Sequence, residues 1–165
     1  MLEEGEIRFV RAEEADAERI AKMRQRVWAT TYRGIYPDEM IDDFDLSWHA
    51  EKDRQRIRHR NYAVWLIVRS GEPVGYVICK RGNPVLLMSL YLLEEHRGQG
   101  IGRQAMAMVR RFCREQGASG FICHCQPDNQ NARAFYEKEG GVMVGAEMDN
   151  EESWQNSVIY QFSAL

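Results

Sequence analysis

The feature that most constrains the fold is a glycine-rich loop that joins a long apolar run to an amphipathic helix. Residues 85–93 form an almost unbroken apolar run, which predicts a strand that is covered on both faces. Residues 101–116 place apolar side chains three and four positions apart, so they predict a helix that ends at Gly117. A short strand is predicted next, at residues 120–125. These elements predict a β-α-β unit whose strands are parallel and whose crossover is right-handed.

The segments on either side predict a larger mixed sheet. Further strands are predicted at residues 7–11, 63–68, 74–79, 142–148 and 157–162. Further helices are predicted at residues 13–33, 37–44 and 131–139, and from an N-cap at Ser47 to about Arg60. Hairpins and crossovers in one chain indicate an α/β (α+β) fold, with a mixed β-sheet of about seven strands and helices on both faces. Because this length is ample for one domain and short for two, residues 1–165 are expected to form a single domain.

Composition and charge exclude several classes of protein. The chain is 44% apolar and 28% charged, which argues against a disordered chain. Its net charge of −3 gives no general attraction to nucleic acid or to an anionic membrane. The arginines of residues 52–60 are read as a solvated helix face, with a nucleic-acid patch as the alternative. No apolar run is long enough to span a bilayer, and the N-terminus is acidic where a signal peptide is basic. We therefore expect a cytoplasmic protein with neither a nucleic-acid nor a membrane partner.

The four cysteines predict no metal site. Cys79, Cys113, Cys123 and Cys125 lie within apolar segments, where reduced cysteine behaves as a small hydrophobic residue. Cys123, His124 and Cys125 resemble metal ligands in type, but a structural zinc site needs about four ligands, usually with C-x2-C spacing. The spacing differs here and no second pair follows, so we expect no metal. Nothing in the sequence indicates an activated thiol, and no G-x-S-x-G elbow is present.

The loop between the predicted strand and helix has the chemistry of an anion site. Backbone amides at the start of a helix lack internal acceptors, and the helix dipole is positive there. Gly98, Gly100 and Gly102 are expected to allow positive φ and a close approach of a ligand, and Arg97 and Arg103 add positive charge. The dinucleotide pattern G-x-G-x-x-G fails because its third glycine is replaced by arginine, and no Walker G-K-[ST] occurs. The alternative is a glycine-rich turn that binds no ligand.

Two segments of the sequence resemble motifs of the GNAT superfamily of N-acetyltransferases. Residues 90–102, LYLLEEHRGQGIG, look like its motif A, whose core Q/R-x-x-G-x-G/A is met by Arg97, Gly100 and Gly102. Residues 129–140, NQNARAFYEKEG, resemble the family's N-x-x-A-x-x-(F/L)-Y-E-K-x-G-F segment, with Gly141 in place of the usual aromatic residue. The resemblance covers roughly residues 60–165 well, and it implies a sheet that splays at its centre, with acetyl-CoA as the acyl donor.

The resemblance also implies which residues form the site. The pantetheine arm is expected in an opening between the strands at 85–93 and 120–125, where it would pair with backbone groups of Leu90 and Leu92. The loop residues expected to hold the pyrophosphate are Arg97, Gly98, Gln99, Gly100, Ile101, Gly102 and Arg103. Asn129 matches the asparagine that contacts the cofactor, while Asn131 either shares that role or caps a helix.

The implied reaction is direct attack of an amine on the thioester. Tyr136 matches the family's general acid, which protonates the leaving thiolate, and a backbone amide near Leu90 is expected to stabilise the oxyanion. Without the resemblance, Tyr136 reads as a packed aromatic residue. The base is open. His124 qualifies only if its side chain faces the opening, a water chain is an alternative, and the remaining candidates are Glu72, Asp42, Asp43 and His49.

The acceptor is expected to be the amine of a small molecule or a peptide. Aromatic residues of the N-terminal third and Trp154 either line its pocket or belong to the core. Asp42, Asp43 and Asp45 either attract a cationic amine, such as a polyamine, or form a solvated turn. The resemblance is compatible with a homodimer. A regulatory domain that binds acetyl-CoA without catalysis is the main alternative.

Overall fold

The computed structural model describes residues 5–148 and 151–165, which form one open, seven-stranded mixed sheet. Its strands are β1 (Ile7–Arg11), β2 (Tyr62–Arg69), β3 (Glu72–Lys80), β4 (Val85–Leu92), β5 (Gly120–Cys125), β6 (Val142–Glu147) and β7 (Ser157–Ser163). Their order is β1-β2-β3-β4-β5-β7-β6, and only β4 and β5 are parallel neighbours. The predicted strands and the predicted parallel pair are therefore confirmed. Part of the acidic N-terminus used above, residues 1–4, lies outside the described residues.

Five α-helices surround the sheet in the described part of the chain. They are α1 (Ala17–Thr31), α2 (Asp38–Asp42), α3 (Leu46–Arg58), α4 (Ile101–Glu115) and α5 (Gln130–Lys138). The predicted N-cap of α3 is wrong by two positions, because the carboxylate of Asp45, and not Ser47, accepts the amide of Trp48 at 3.0 Å. Both residue types favour N-caps, and only the backbone conformation decides which one precedes the first turn. None of the described helices is long and apolar enough to cross a membrane.

The two faces of the sheet carry separate hydrophobic cores, because strand residues alternate between the faces. Along β2, Ala63, Trp65 and Ile67 contribute to the core under α4, while Val64 and Leu66 contribute to the core under α1. The strong apolar face of α4 makes most of the helical contribution to the first core. Helices therefore cover both faces, as predicted from the sequence.

The centre of the sheet opens between β4 and β5. The two strands are paired only from Val85 to Leu87, opposite Phe121 to Cys123, although β4 continues to Leu92. On its other side β4 pairs with β3 through a bulge, in which Met88 is the extra residue between the pairs formed by Leu87 and Ser89. A bulge bends its strand, so β4 leaves β5 where the bulge occurs. The expected central splay is confirmed, and it leaves one edge of β4 free.

Candidate active site

The loop before α4 presents a row of free backbone amides. Gly98 and Gly100 have φ values of +72° and +83°, and Gly100 occupies the N-cap position. The first backbone hydrogen bond of the helix is donated by Gln104 to the carbonyl of Gly100, at 3.2 Å. Among the described residues, the amides from Gly98 to Arg103 have no backbone acceptor. Free amides at a positive helix end form a site for a phosphate group.

At Gly102 the need for glycine comes from packing, and not from a positive φ as at Gly98 and Gly100. Gly102 lies inside α4 and its φ is not positive, so the expectation that all three glycines adopt positive φ is wrong for this one. A Cβ atom at Gly102 would lie 3.1 Å from two ring carbons of Phe135. The absence of a side chain therefore lets α4 and α5 pack closely, which keeps the loop and α5 side by side.

Arg97 ties the loop to the surrounding elements. Its Nε donates to the carbonyl of Leu92 at 3.1 Å, its Nη2 donates to Thr31 Oγ1 at 2.9 Å, and its amide donates to Glu94 at 3.1 Å. These bonds direct its guanidinium to β4 and α1, and a contact of Arg97 with phosphate stays a prediction. Arg103 is exposed in the first turn of α4, and it carries a positive charge next to the free amides.

Gln99 is held from two sides, which fixes the middle of the loop. Its Oε1 accepts from Arg69 at 2.5 Å, and its Nε2 donates to the carbonyl of Glu95 at 3.2 Å. Arg69 is at the end of β2, so the sheet positions the loop through a side-chain contact. A preorganised loop loses less conformational entropy when a ligand binds.

Tyr136 lies at the opening between β4 and β5. The residue is half-buried on α5, and its ring centroid lies 6.0 Å from that of Tyr160 and 5.9 Å from that of Phe162. Burial, and then the neighbouring thiols of Cys123 and Cys125, raise the pKa of Tyr136 well above 10.0. Since these cysteines are on β5, the Tyr136 hydroxyl is close to the strand that β4 leaves. It is protonated at neutral pH and can donate a proton.

Asn129 connects α5 to a group of tyrosines on the other side of the opening. Its Oδ1 caps α5 by accepting the amide of Ala132 at 3.2 Å, so Asn129, and not Asn131, is the N-cap. Its side chain also lies near Tyr32, whose hydroxyl is 3.4 Å from that of Tyr91. The cap therefore fixes the position of Asn129 near the tip of β4.

A cavity of about 200 Å³ lies beside the bulge of β4, on the face covered by α1 and α3. Its lining residues are Arg24, Trp28, Tyr36, Trp48, His49, Arg56, Met88, Ser89 and Tyr91. Tyr91 belongs both to this lining and to the groups that raise the pKa of Tyr136, so the cavity extends toward Tyr136. A larger cavity, of about 460 Å³, lies apart from it, between α1 and the start of β3.

The candidate bases differ in whether they line this cavity. Of these residues, only His49 lines it, while His124 is exposed on β5 with its Nδ1 3.3 Å from Ser157 Oγ. Burial, and then the charge of Arg24, lower the pKa of His49 below 6.5, so it is neutral at pH 7 and can accept a proton. Asp42 forms an exposed ion pair with Arg33 at 2.9 Å. The other two carboxylates, Glu72 and Asp43, are exposed.

The cysteines are buried thiols. Burial raises the pKa of Cys123 to about 12 and, as the largest effect, that of Cys125 to about 11, so neither is a thiolate at pH 7. The described residues contain no group of three or more His, Cys, Asp or Glu side chains that could hold a metal ion.

Several site residues were not identified from the sequence. Met88 and Ser89 are part of an apolar run, and nothing in that run marks the bulge. Arg24 and Arg56 resemble the other charged residues on their helices, although both line the cavity. The sequence does not decide whether its aromatic residues belong to a pocket or to the core, and Trp28 and Tyr36 take part in both. The aromatic content of the N-terminal third was the available signal for a pocket.

Comparison with known proteins places this architecture in a family. The sequence matches the model of the acetyltransferase (GNAT) family over residues 21–141. A probable N-acetyltransferase of Mycobacterium tuberculosis is 24% identical over 144 residues, which cover 84% of this chain and 81% of that protein. The PaiA N-acetyltransferase of Thermoplasma acidophilum, solved with coenzyme A, has a TM-score of 0.82 at 20% identity, covering 96% of this chain and 99% of that one.

A second solved structure agrees in fold. It is an acetyltransferase of Salmonella typhimurium that modifies the N-terminal serine of the 50S ribosomal subunit protein L7/L12. Its TM-score is 0.77 at 15% identity, with 95% of this chain and 94% of that chain covered. At these identities the solved structures establish the splayed fold, while the family model extends over well over half of the sequence. The glycine loop, the opening in the sheet and the family match lead to one conclusion: the chain belongs to the acetyltransferase (GNAT) family.

Proposed function

We propose that this enzyme transfers the acetyl group of acetyl-CoA to the amine of an acceptor that occupies the cavity beside β4. The observation that carries the proposal is the opening between β4 and β5. The free amides of the loop are at the tip of β4, and Tyr136 and the cavity flank the opening. One extended donor molecule can therefore reach the loop with its phosphates and the opening with its thioester.

The donor is bound by backbone groups. The amides from Gly98 to Arg103 receive the pyrophosphate, with Arg103 adding charge, and the free edge of β4 at Leu90 and Leu92 pairs with the pantetheine arm. Asn129, which is fixed as the cap of α5, lies near the same tip of β4. Arg97 acts as a positioning residue, because its bonds hold the loop against β4 and α1.

The chemical step is direct attack of a neutral amine on the thioester carbonyl. The new C–N bond forms while the carbonyl oxygen becomes an oxyanion, for which a backbone amide of β4 near Leu90 is the donor. The bulge at Met88 bends β4 at this place and frees it from β5. When the C–S bond breaks, the electron pair stays on sulfur and Tyr136 protonates the thiolate. The amine gives its own proton to a base, for which His49 is the candidate on the acceptor side.

The test is the Tyr136→Phe variant in a thiol-release assay with acetyl-CoA and a panel of amines. Loss of the proton donor is expected to lower kcat by about 100-fold or more. The rise in melting temperature caused by CoA is expected to be unchanged, because the phenol is not part of the phosphate site. Tyr62→Phe is the matched control, since Tyr62 is a half-buried tyrosine at the start of β2 and outside the cavity lining.

Two results would contradict parts of this proposal. Equal kcat for Tyr136→Phe and the unchanged enzyme would remove Tyr136 from the mechanism. Stabilisation by CoA together with no turnover of any amine would instead support a regulatory domain that binds acetyl-CoA.

A further inference from the structure

The acceptor cavity contains more positive than negative charge. Asp53 is completely buried and accepts three hydrogen bonds, from Arg24 Nη1 at 2.7 Å, Arg24 Nη2 at 2.8 Å and Arg56 Nη1 at 3.2 Å. One carboxylate therefore faces two guanidinium groups. Both arginines line the cavity and Asp53 does not, so the surplus charge is presented to the cavity.

The two arginines differ in what they can still bind. Arg24 uses both Nη atoms on Asp53, and its side chain is only 7% exposed. Arg56 has one hydrogen bond among the described residues, through Nη1, and its side chain is 29% exposed. The remaining N–H groups of Arg56 are therefore the donors available to a ligand in the cavity. A guanidinium binds a carboxylate in a bidentate way.

The rest of the lining is apolar or neutral. Trp28, Tyr36, Trp48 and Tyr91 supply aromatic walls and Met88 an apolar one, while His49 is uncharged at neutral pH. No carboxylate belongs to the lining in the described part of the chain. Of the acidic residues near α2, Asp42 pairs with Arg33 and Asp45 caps α3, and neither these two nor Asp43 belongs to the lining. Nothing in the lining would balance the additional ammonium groups of a polyamine.

We infer that the acceptor is an amine that also carries a carboxylate, such as a free amino acid with an apolar or aromatic side chain. This inference rests on the proposed function, because it describes the acceptor of the same reaction. The carboxylate contacts Arg56, the side chain packs against the aromatic walls, and the amine is directed past Tyr91 toward the thioester. A cavity of about 200 Å³ is suited to a group of about the size of one amino acid.

The inference is tested with pairs of acceptors that differ only in the carboxylate. Phenylalanine, leucine and tryptophan are each compared with the amine that decarboxylation would give, and spermidine is included as a polyamine. For at least one pair, kcat/KM is expected to be about tenfold or more higher for the amino acid, the size of one hydrogen bond between charged groups. Higher kcat/KM for all decarboxylated amines, or for spermidine, would overturn the inference while leaving acetyl transfer intact.

The Arg56→Gln variant tests the assigned contact. Its kcat/KM for the preferred amino acid is expected to fall about tenfold more than its kcat/KM for the decarboxylated partner, because only the amino acid carries the group that Arg56 binds. Retained activity on the partner amine shows that the variant is folded. Arg54→Gln is the matched control, because Arg54 is on the same helix and pairs with Glu51 outside the lining. An unchanged ratio between the two acceptors in Arg56→Gln would contradict the role of Arg56.

A binding measurement separates this inference from the proposed function. Trp28 and Trp48 line the cavity, so their fluorescence reports a ligand without any turnover. 3-Phenylpropanoate, which has the carboxylate but no amine, is expected to change the fluorescence and to bind at least about tenfold more weakly to Arg56→Gln. Equal binding of this probe by both proteins would contradict the inference. If the proposed function itself were wrong, no amine would cause release of the CoA thiol, whatever the binding measurement shows.

Discussion

The ring of Tyr136 packs against Tyr160 and Phe162, and its hydroxyl lies near the buried thiols of β5. Burial removes water from the phenol, and this disfavours the charged phenolate. The same burial that makes Tyr136 resemble a core residue therefore keeps it protonated, as a general acid must be. A packing role and a catalytic role are compatible at this position.

The raised pKa of Tyr136 predicts how kcat depends on pH in the alkaline range. A general acid loses activity as pH rises through its pKa, and the pKa of Tyr136 lies well above 10.0. We expect kcat to show no falling limb up to about pH 10, where an ordinary tyrosine would begin to ionise. Initial rates of thiol release, corrected for non-enzymatic hydrolysis of acetyl-CoA, provide the measurement. A loss of kcat between pH 8 and about pH 9.5, with the protein still folded, would be incompatible with this assignment.

Helix α4 combines two functions in one element. Its apolar face packs against the sheet, and its N-terminal turn presents the free amides to solvent. Both ends of the helix depend on glycine with positive φ, which is +83° at Gly100 and +73° at Gly117. Other residues rarely adopt this conformation, so the chain can turn sharply into and out of the helix.

The two glycines make a matched pair of variants. Neither Gly100 nor Gly117 would place a Cβ atom within 4 Å of another group, so each change to alanine tests backbone conformation alone. We expect both variants to lose about 1–2 kcal/mol of unfolding free energy, measured with urea. Only Gly100→Ala is expected to weaken CoA binding, by about tenfold or more, because only its loop belongs to the proposed phosphate site. Equal CoA affinity in the two variants would contradict the assigned phosphate site.

The helices on the acceptor side are joined by a buried ion pair. Arg24 belongs to α1 and Asp53 to α3, and the carboxylate is fully buried. The Arg24 guanidinium also lies 5.2 Å from the ring centroid of Tyr76, on β3. These contacts connect two helices and the sheet around the cavity, so the pair defines the cavity's shape as well as its charge.

Asp53→Asn is expected to destabilise the whole molecule. Removing one partner leaves a buried charge without compensation, which costs about 3–5 kcal/mol of unfolding free energy. Asp38→Asn is the control, because Asp38 pairs with Arg33 at the surface, where its side chain is 71% exposed, and little change is expected there. Urea unfolding at neutral pH measures both variants. A change in Asp53→Asn no larger than that of the control would show that the pair contributes little.

Local patterns in the sequence were sufficient to predict the elements, their faces and the class of chemistry. Apolar spacing marked the strands and α4, since burial imposes a period of two on a half-buried strand and of 3.6 on a helix. The order of strand, helix and strand required parallel pairing of β4 and β5, as the structure confirms. The glycine loop and the segment from Asn129 to Tyr136 identified the family. Local choices among similar residues were less certain, as the cap of α3 at Asp45 shows.

The layout of the cavity beside β4 depends on contacts between distant parts of the chain. Arg24 and Arg56 are separated from the bulge of β4 by a long stretch of chain, and packing of α1 and α3 on the sheet brings them to one cavity. The use of Arg97 as a link to Leu92 and Thr31, and the exposure of His124, depend on distances that no local pattern encodes. Local sequence fixes hydrophobic period and turn chemistry. The side chains that meet across elements are set by long-range packing, and in this chain they form the cavity proposed for the acceptor.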